Sequence, residues 1–265
     1  MIRLILGVLL GCSRDKGHVV QGEPGGGEGV SDDVPEEQDS DQASGSGDAR
    51  CPDGMVVVDE SFCIDIYEGT LEEQGSDGSW AAASPYDTVD GRAVRAVSRA
   101  GLDPQGYISG DEAEAACEAS GKRLCTSDEW LLACQGPDGW TWPYGDTYDP
   151  DACNDTYEGG HPVIDYFDSE DVWDMEHMND PGINQQDNTI EPGGSNPSCV
   201  STWGAYDMHG NLHEWVDDSD GTFRGGFYAD AEINGPGCTY RTTAHERSYH
   251  DYSTGFRCCA AMESP

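Results

Sequence analysis

The apolar positions of this chain change rhythm along its length, and each rhythm predicts a different element. Leu4 to Gly11 is an uninterrupted apolar run after Arg3. A membrane-spanning helix needs about 20 such residues, so this shorter run reads as a signal peptide. Val56-Val57-Val58 and Phe62-Cys63-Ile64-Asp65-Ile66-Tyr67 predict strands, the second alternating like a half-buried face. Asp111 to Ala119 predicts a helix, started at Ser109 or Gly110, filled with alanine and ended by Ser120-Gly121. A second helix is predicted from Thr126, where Thr126 and Glu129 stand in the T-x-x-E relation of a capping box. Trp130, Leu131 and Ala133-Cys134 supply its buried side before Gly136-Pro137. From Trp140 to Gly204 Gly, Pro, Asp and Asn dominate and periodicity is lost, which predicts loops.

Composition divides the chain into three parts. Residues 1–12 end in Leu9-Leu10-Gly11-Cys12, which has the form of a bacterial lipobox, with cleavage before an acylated Cys12; the alternative is an ordinary export signal with an incidental cysteine. Residues 13–50 are Gly, Ser, Asp, Glu and Gln with hardly an aromatic or branched aliphatic side chain. Such a stretch buries too little surface to offset its conformational entropy and is expected to be a disordered acidic linker. Residues 51–265 suit one domain and carry almost all the tryptophan and tyrosine. No second apolar stretch approaches membrane length, so contact with a membrane is expected only through the lipid, at a bacterial cell envelope.

With 13 Lys and Arg against 52 Asp and Glu, the formal net charge is -39. A field of that sign repels phosphate backbones and anionic headgroups, which excludes nucleic acid as a natural partner. Some of the carboxylates are available to hold calcium; most serve solubility.

Of the 11 cysteines, Cys12 belongs to the lipobox. The others, Cys51, Cys63, Cys117, Cys125, Cys134, Cys153, Cys199, Cys238, Cys258 and Cys259, are even in number, which in an exported chain reads as a disulfide framework. Zinc ligation is the competing reading, but no pair has the C-x-x-C spacing of structural zinc sites. Cys51 with Cys63 forms a plausible local loop around Met55 to Val58.

Four motifs carry the chemistry. They are Gly121-Lys122-Arg123-Leu124-Cys125-Thr126-Ser127-Asp128-Glu129-Trp130, Tyr206-Asp207-Met208-His209-Gly210-Asn211-Leu212-His213-Glu214-Trp215, Arg224-Gly225-Gly226 and Gly255-Phe256-Arg257-Cys258. In this order and spacing, from Met55 to Ala261, the chain resembles the formylglycine-generating enzymes, also called sulfatase-modifying factors. The resemblance implies an α+β fold, a C-type lectin-like variant with little regular secondary structure, and a bridge from Cys117 to the Gly-Phe-Arg-Cys segment. It also implies calcium as a structural cofactor, held by Asp207, Gly210, Leu212 and Glu214, with Asn154 at a second site. Hard cations take several oxygens from carboxylates and carbonyls, which a tight loop presents together. The alternative is that Glu214 only caps and Trp215 only packs. His209 and His213 stand four apart, but Gly210-Asn211 between them opposes a zinc-binding helix, and both are expected to be exposed loop histidines.

The same resemblance implies copper(I) on two cysteines after the R-G-G segment, oxidising a substrate cysteine. Asp230 stands at the place of the first thiol, and Cys238 lies near that of the second, the sole and weak candidate catalytic residue. One thiolate and a carboxylate suit this soft ion poorly, so copper is not expected and Cys238 is expected in a disulfide. Arg241 and Arg257 either line the former cleft or hold backbone. Two readings follow: a non-catalytic binding or structural module for a peptide, protein or carbohydrate ligand, or a formylglycine-generating oxidase with a rearranged site.

Overall fold

The computed structural model describes residues 50–263 except Ala244; Cys12 and the acidic segment as far as residue 49 lie outside the described residues. In chain order the strands are β1 Met55–Val58, β2 Phe62–Asp65, β3 Thr70–Gln74, β4 Trp80–Ala82, β5 Val94–Val97, β6 Arg123–Leu124, β7 His213–Trp215, β8 Phe223–Arg224, β9 Arg241–Thr242, β10 Thr254–Phe256 and β11 Cys258–Ala261. The helices are α1 Gly110–Ala119, α2 Ser127–Gln135, α3 Pro162–Phe167 and α4 Met175–Met178. The fold is α+β, with short elements and long irregular connections.

Both expected strands form, and they pair as a hairpin with Val58 opposite Phe62. The sheet continues in the order β1-β2-β11-β6, so the last strand of the chain lies in its middle. A second sheet runs β10-β7-β8-β9 with β10 parallel to β7, and a third runs β4-β3-β5. β4, β6, β7, β8, β9 and β10 are only two or three residues long, too short for readable alternation, and β3, β5 and β11, at four or five residues, also went unread in the sequence.

Both longer helices start on capping boxes. Thr126 accepts from the Glu129 amide as expected, and Ser109 and Glu112 form an equivalent box before α1. α1 buries Ala113, Ala116 and Cys117 against Leu71, Trp215, Phe223 and Phe256; α2 buries Trp130, Ala133 and Cys134 against Ile64, Met208 and Val216. The expected loop from Trp140 to Gly204 holds two short helices, α3 opened by Pro162 at its first turn and α4 capped by the Asp174 side chain.

Successive side chains on a strand point to opposite faces, and β11 exploits this with adjacent cysteines. Cys258 bonds Cys117 within the α1 core, and Cys259 bonds Cys125 within the α2 core. The central strand is thereby fastened to both layers. Cys51–Cys63, Cys134–Cys238 and Cys153–Cys199 complete the pairing. The Cys51 loop and the reach of Cys117 to the C-terminal segment are as expected; the other three pairs were not deducible from the sequence.

Candidate metal centre and the Arg224 to Cys238 segment

The four motifs converge on one place. Trp130 Nε1, from the α2 motif, donates to Glu214 Oε2 at 2.6 Å. Arg257, from the C-terminal motif, holds the same carboxylate in bidentate fashion through Nε and Nη2, each at 2.6 Å. The Gly210 amide donates to the Gly225 carbonyl at 3.0 Å, and the Tyr228 amide donates to the Asn211 carbonyl at 3.0 Å. A motif order along the chain has become a contact network around residues 207–214.

This loop turns through left-handed backbone at Asp207, Gly210 and Asn211, with φ of 58°, 80° and 54°. At Gly210 a Cβ would stand 2.1 Å from the Asn154 carbonyl oxygen, so only glycine permits the approach. The loop then enters β7, whose Trp215 donates its indole N–H to the Ile108 carbonyl at 2.9 Å and packs in the α1 core.

The electrostatics are set by burial. Glu68, Asp207 and Glu214 are 4%, 5% and 1% exposed, and they surround the single guanidinium of Arg257, which is 0% exposed. Burial, followed by repulsion from Asp207 and Glu214, pushes the Glu68 carboxyl well above its usual range. Burial likewise raises Asp207 to about 6, against a hydrogen bond from the Gly194 amide and the attraction of Arg257. Three buried carboxyls against one cation favour protonation unless a further cation is present, and ionised carboxylate oxygens suit a hard divalent cation. Among the described residues no group of three or more His, Cys, Asp or Glu side chains is gathered as a metal site, and Glu214 is bonded to Arg257 and Trp130.

Asn154 lies against the same loop. Its carbonyl accepts from the Asn211 amide at 2.8 Å, and its Nδ2 donates to Asn211 Oδ1 at 3.0 Å and to the Thr189 carbonyl at 2.8 Å. Leu212 is buried, and its amide donates to Glu68 Oε1 at 3.1 Å. Glu68 escaped the sequence reading: it lies beyond the end of β2 at Asp65, in the irregular turn before β3, and β2 is buried at all four positions, so no alternation marks it. Arg257 is a structural clamp: besides Glu214 it donates to the carbonyls of Asp65 at 3.0 Å and Tyr206 at 2.8 Å. Arg241 is exposed and reaches Thr222 Oγ1 at 3.3 Å.

The two histidines are not exposed loop residues, which corrects the expectation from sequence. His209 is 0% exposed, with Nε2 at 3.0 Å from Asp155 Oδ2. His213 is 5% exposed among the rings of Phe223, Phe227 and Tyr240, with no partner for Nδ1. Glycine and asparagine turned the chain inward where a surface loop was expected. Burial, and next the nearby His245, lowers the His213 pKa to about 3. A base with a depressed folded pKa costs nothing above pH 6.5, and its cost grows as pH falls from 6.5 toward 3. His213→Phe is therefore expected to reduce the loss of stability between pH 6.5 and pH 5 by about 2 kcal/mol. Denaturant unfolding of both proteins at the two pH values measures this, and equal losses would refute it.

The Arg224 to Cys238 segment is built for packing. Gly226, at φ 76°, lets Ala231 close against it, since a Cβ there would meet the Ala231 Cα at 2.4 Å. Asp230 accepts from the amides of Glu232 and Ile233 and from the Tyr240 hydroxyl, each near 3 Å. Cys238 is bonded to Cys134, as expected of a disulfide partner, and Ala229 to Gly237 contains no cysteine.

With this geometry in view, known proteins give the following comparison. Residues 26–262 match the sulfatase-modifying factor enzyme 1-like domain. A Bos taurus protein named inactive C-alpha-formylglycine-generating enzyme 2 is 26% identical over 173 residues, 61% of this chain and 52% of the relative. The chain thus spans about half the length of that curated relative. Among solved structures, PvdO from Pseudomonas aeruginosa aligns with TM-score 0.44 and 18% identity, over 76% of this chain and 80% of its own. A major tropism determinant, the U1 variant, aligns with TM-score 0.47 and 16% identity, over 82% of this chain and 55% of its own. The domain match runs through all four interlocking motifs, and the chain belongs to the sulfatase-modifying factor enzyme 1-like family.

Proposed function

We propose that this chain is an exported, lipid-anchored member of the family that works as a non-catalytic binding or structural module. The observation that carries the reading is the Cys134–Cys238 disulfide, with no cysteine from Ala229 to Gly237. A soft d10 ion needs two thiolates held together, and here the segment offers one sulfur, already oxidised. The bovine relative, named inactive, points the same way. Five disulfides favour an oxidising compartment, and Leu9-Leu10-Gly11-Cys12 supplies the lipid anchor at a bacterial envelope. Its ligand is a peptide, a protein or a carbohydrate.

Calcium is proposed as a structural cofactor of the 207–214 loop. The support is the gathering of the buried carboxyls Glu68 and Asp207, more than Arg257 alone can balance when ionised, at a loop whose Leu212 amide bonds Glu68. Glu214 would join only by exchanging part of its bond with Arg257, and Asn154 braces the loop by hydrogen bonds.

The purified chain is expected to show no tight copper(I) binding and no conversion of cysteine to formylglycine in a sulfatase-type peptide. Mass spectrometry after aerobic incubation with copper decides the matter. An aldehyde product formed by the unmodified protein and abolished by Cys238→Ser would establish the oxidase reading instead.

A further inference from the structure

A cavity of about 740 Å³ is lined by Ile66, Tyr67, Val97 and Ala100 together with Arg95, Arg99 and Lys122. Three of the chain's 13 lysines and arginines thus border one cavity in a protein of net charge -39. The cations are not equivalent. Lys122 Nζ is 2.5 Å from Asp65 Oδ1, with both side chains buried, and that pair is electrically closed. Arg95 and Arg99 instead share one carboxylate. Arg95 donates through Nε and Nη2 to Glu72 Oε2 at 2.9 and 2.6 Å, and Arg99 donates through Nη2 to Glu72 Oε1 at 3.2 Å.

Two guanidiniums on one carboxylate give that cluster one net positive charge, and the pairing presets where it sits. The Arg95 guanidinium also lies over the Trp80 ring, 4.5 Å from its centroid, which fixes its plane. The hydrogen bond from Arg95 holds the Glu72 carboxyl below its usual range, so the arrangement stays ionised. The Arg99 side chain is 60% exposed and keeps donors facing solvent. Asp53, exposed, is the carboxylate among the lining residues. A volume of this size with apolar walls and a few oriented polar groups is the form of a small-molecule site.

We propose that this cavity binds an organic anion, a carboxylate, sulfate or phosphate carried on an apolar body, with Arg95 and Arg99 taking the charge and Ile66, Tyr67, Val97 and Ala100 taking the body. None of its lining residues belongs to the 207–214 loop or to the Arg224 to Cys238 segment, so the site stands whichever functional reading of that segment holds. Arginine forks match the planar oxygens of such groups and are weakly hydrated, which favours binding even against an unfavourable overall field.

The probe is naphthalene-2-sulfonate, titrated calorimetrically into the purified full-length chain at low ionic strength. One saturable site is expected, weakened at least ten-fold by Arg99→Glu and at least five-fold by Arg99→Gln. Uncharged 2-naphthol is expected to bind at least ten-fold more weakly than the sulfonate. Arg99 is exposed, and an unchanged melting temperature for both variants separates loss of binding from loss of fold. Absence of saturable binding, equal affinity in Arg99→Glu, or equal affinity for 2-naphthol would each overturn the proposal.

Discussion

Replacing Arg257 by methionine is expected to destabilise the domain by about 3 to 5 kcal/mol, the largest effect of any single substitution considered. The reason lies in what the substitution leaves behind. Arg257 and Glu214 are 0% and 1% exposed, and the guanidinium also carries the attraction that offsets burial at Glu68 and Asp207. Without it, three carboxylates stay in a dry interior with no cation, and the carbonyls of Asp65 and Tyr206 lose their donors. A buried pair is costly to assemble, so its net contribution is small, but removing one partner exposes the full penalty on the other. Arg257→Met with Glu214→Gln should therefore cost less than Arg257→Met alone, because neutralising Glu214 removes part of the unpaired charge. Urea unfolding of the parent, both single variants and the double variant measures the coupling. Additive losses would mean that the pair does not act as a unit.

Removing divalent cations with a chelator is expected to lower stability by about 2.7 kcal/mol relative to calcium at a hundredfold excess over Kd. For a domain of this size, that is roughly 5 to 10 °C in melting temperature. The sign of a second variant separates a calcium site from a mere acidic pocket. In chelator, Glu68→Gln removes a buried carboxylate raised by burial and by its neighbours, so it should be neutral or stabilising. In calcium it removes an oxygen ligand's charge and should destabilise. Melting curves that ignore both chelator and calcium, in protein shown by elemental analysis to be metal-free, would remove calcium from the account.

What the sequence by itself determined was everything encoded at short range. The β1 strand came from a run of valines and β2 from alternation, α1 and α2 from capping residues and alanine, and the Cys51–Cys63 loop from proximity along the chain. The missing thiol was legible too, because it depends only on which residues lie between Arg224 and Cys238. The resemblance rested on the order and spacing of the four motifs; their convergence was not legible, since nothing local brings Trp130, Gly225 and Arg257 to one loop.

Tertiary structure alone decided the pairs Cys125–Cys259, Cys134–Cys238 and Cys153–Cys199, the burial of His209 and His213, and the place of Glu68 and Arg257. Ten cysteines at irregular spacing admit many pairings, and the choice was made by β11 entering the middle of a sheet, with Cys258 and Cys259 facing opposite cores. The histidines sit beside glycine and asparagine that look like surface punctuation, but left-handed backbone at Gly210 and Asn211 turns the loop inward against Asn154. The charge balance of the centre is likewise non-local: Glu68, the 207–214 loop with Asp207 and Glu214, and Arg257 come from three separate stretches. Desolvation, which sets their energies, exists only once those stretches have packed.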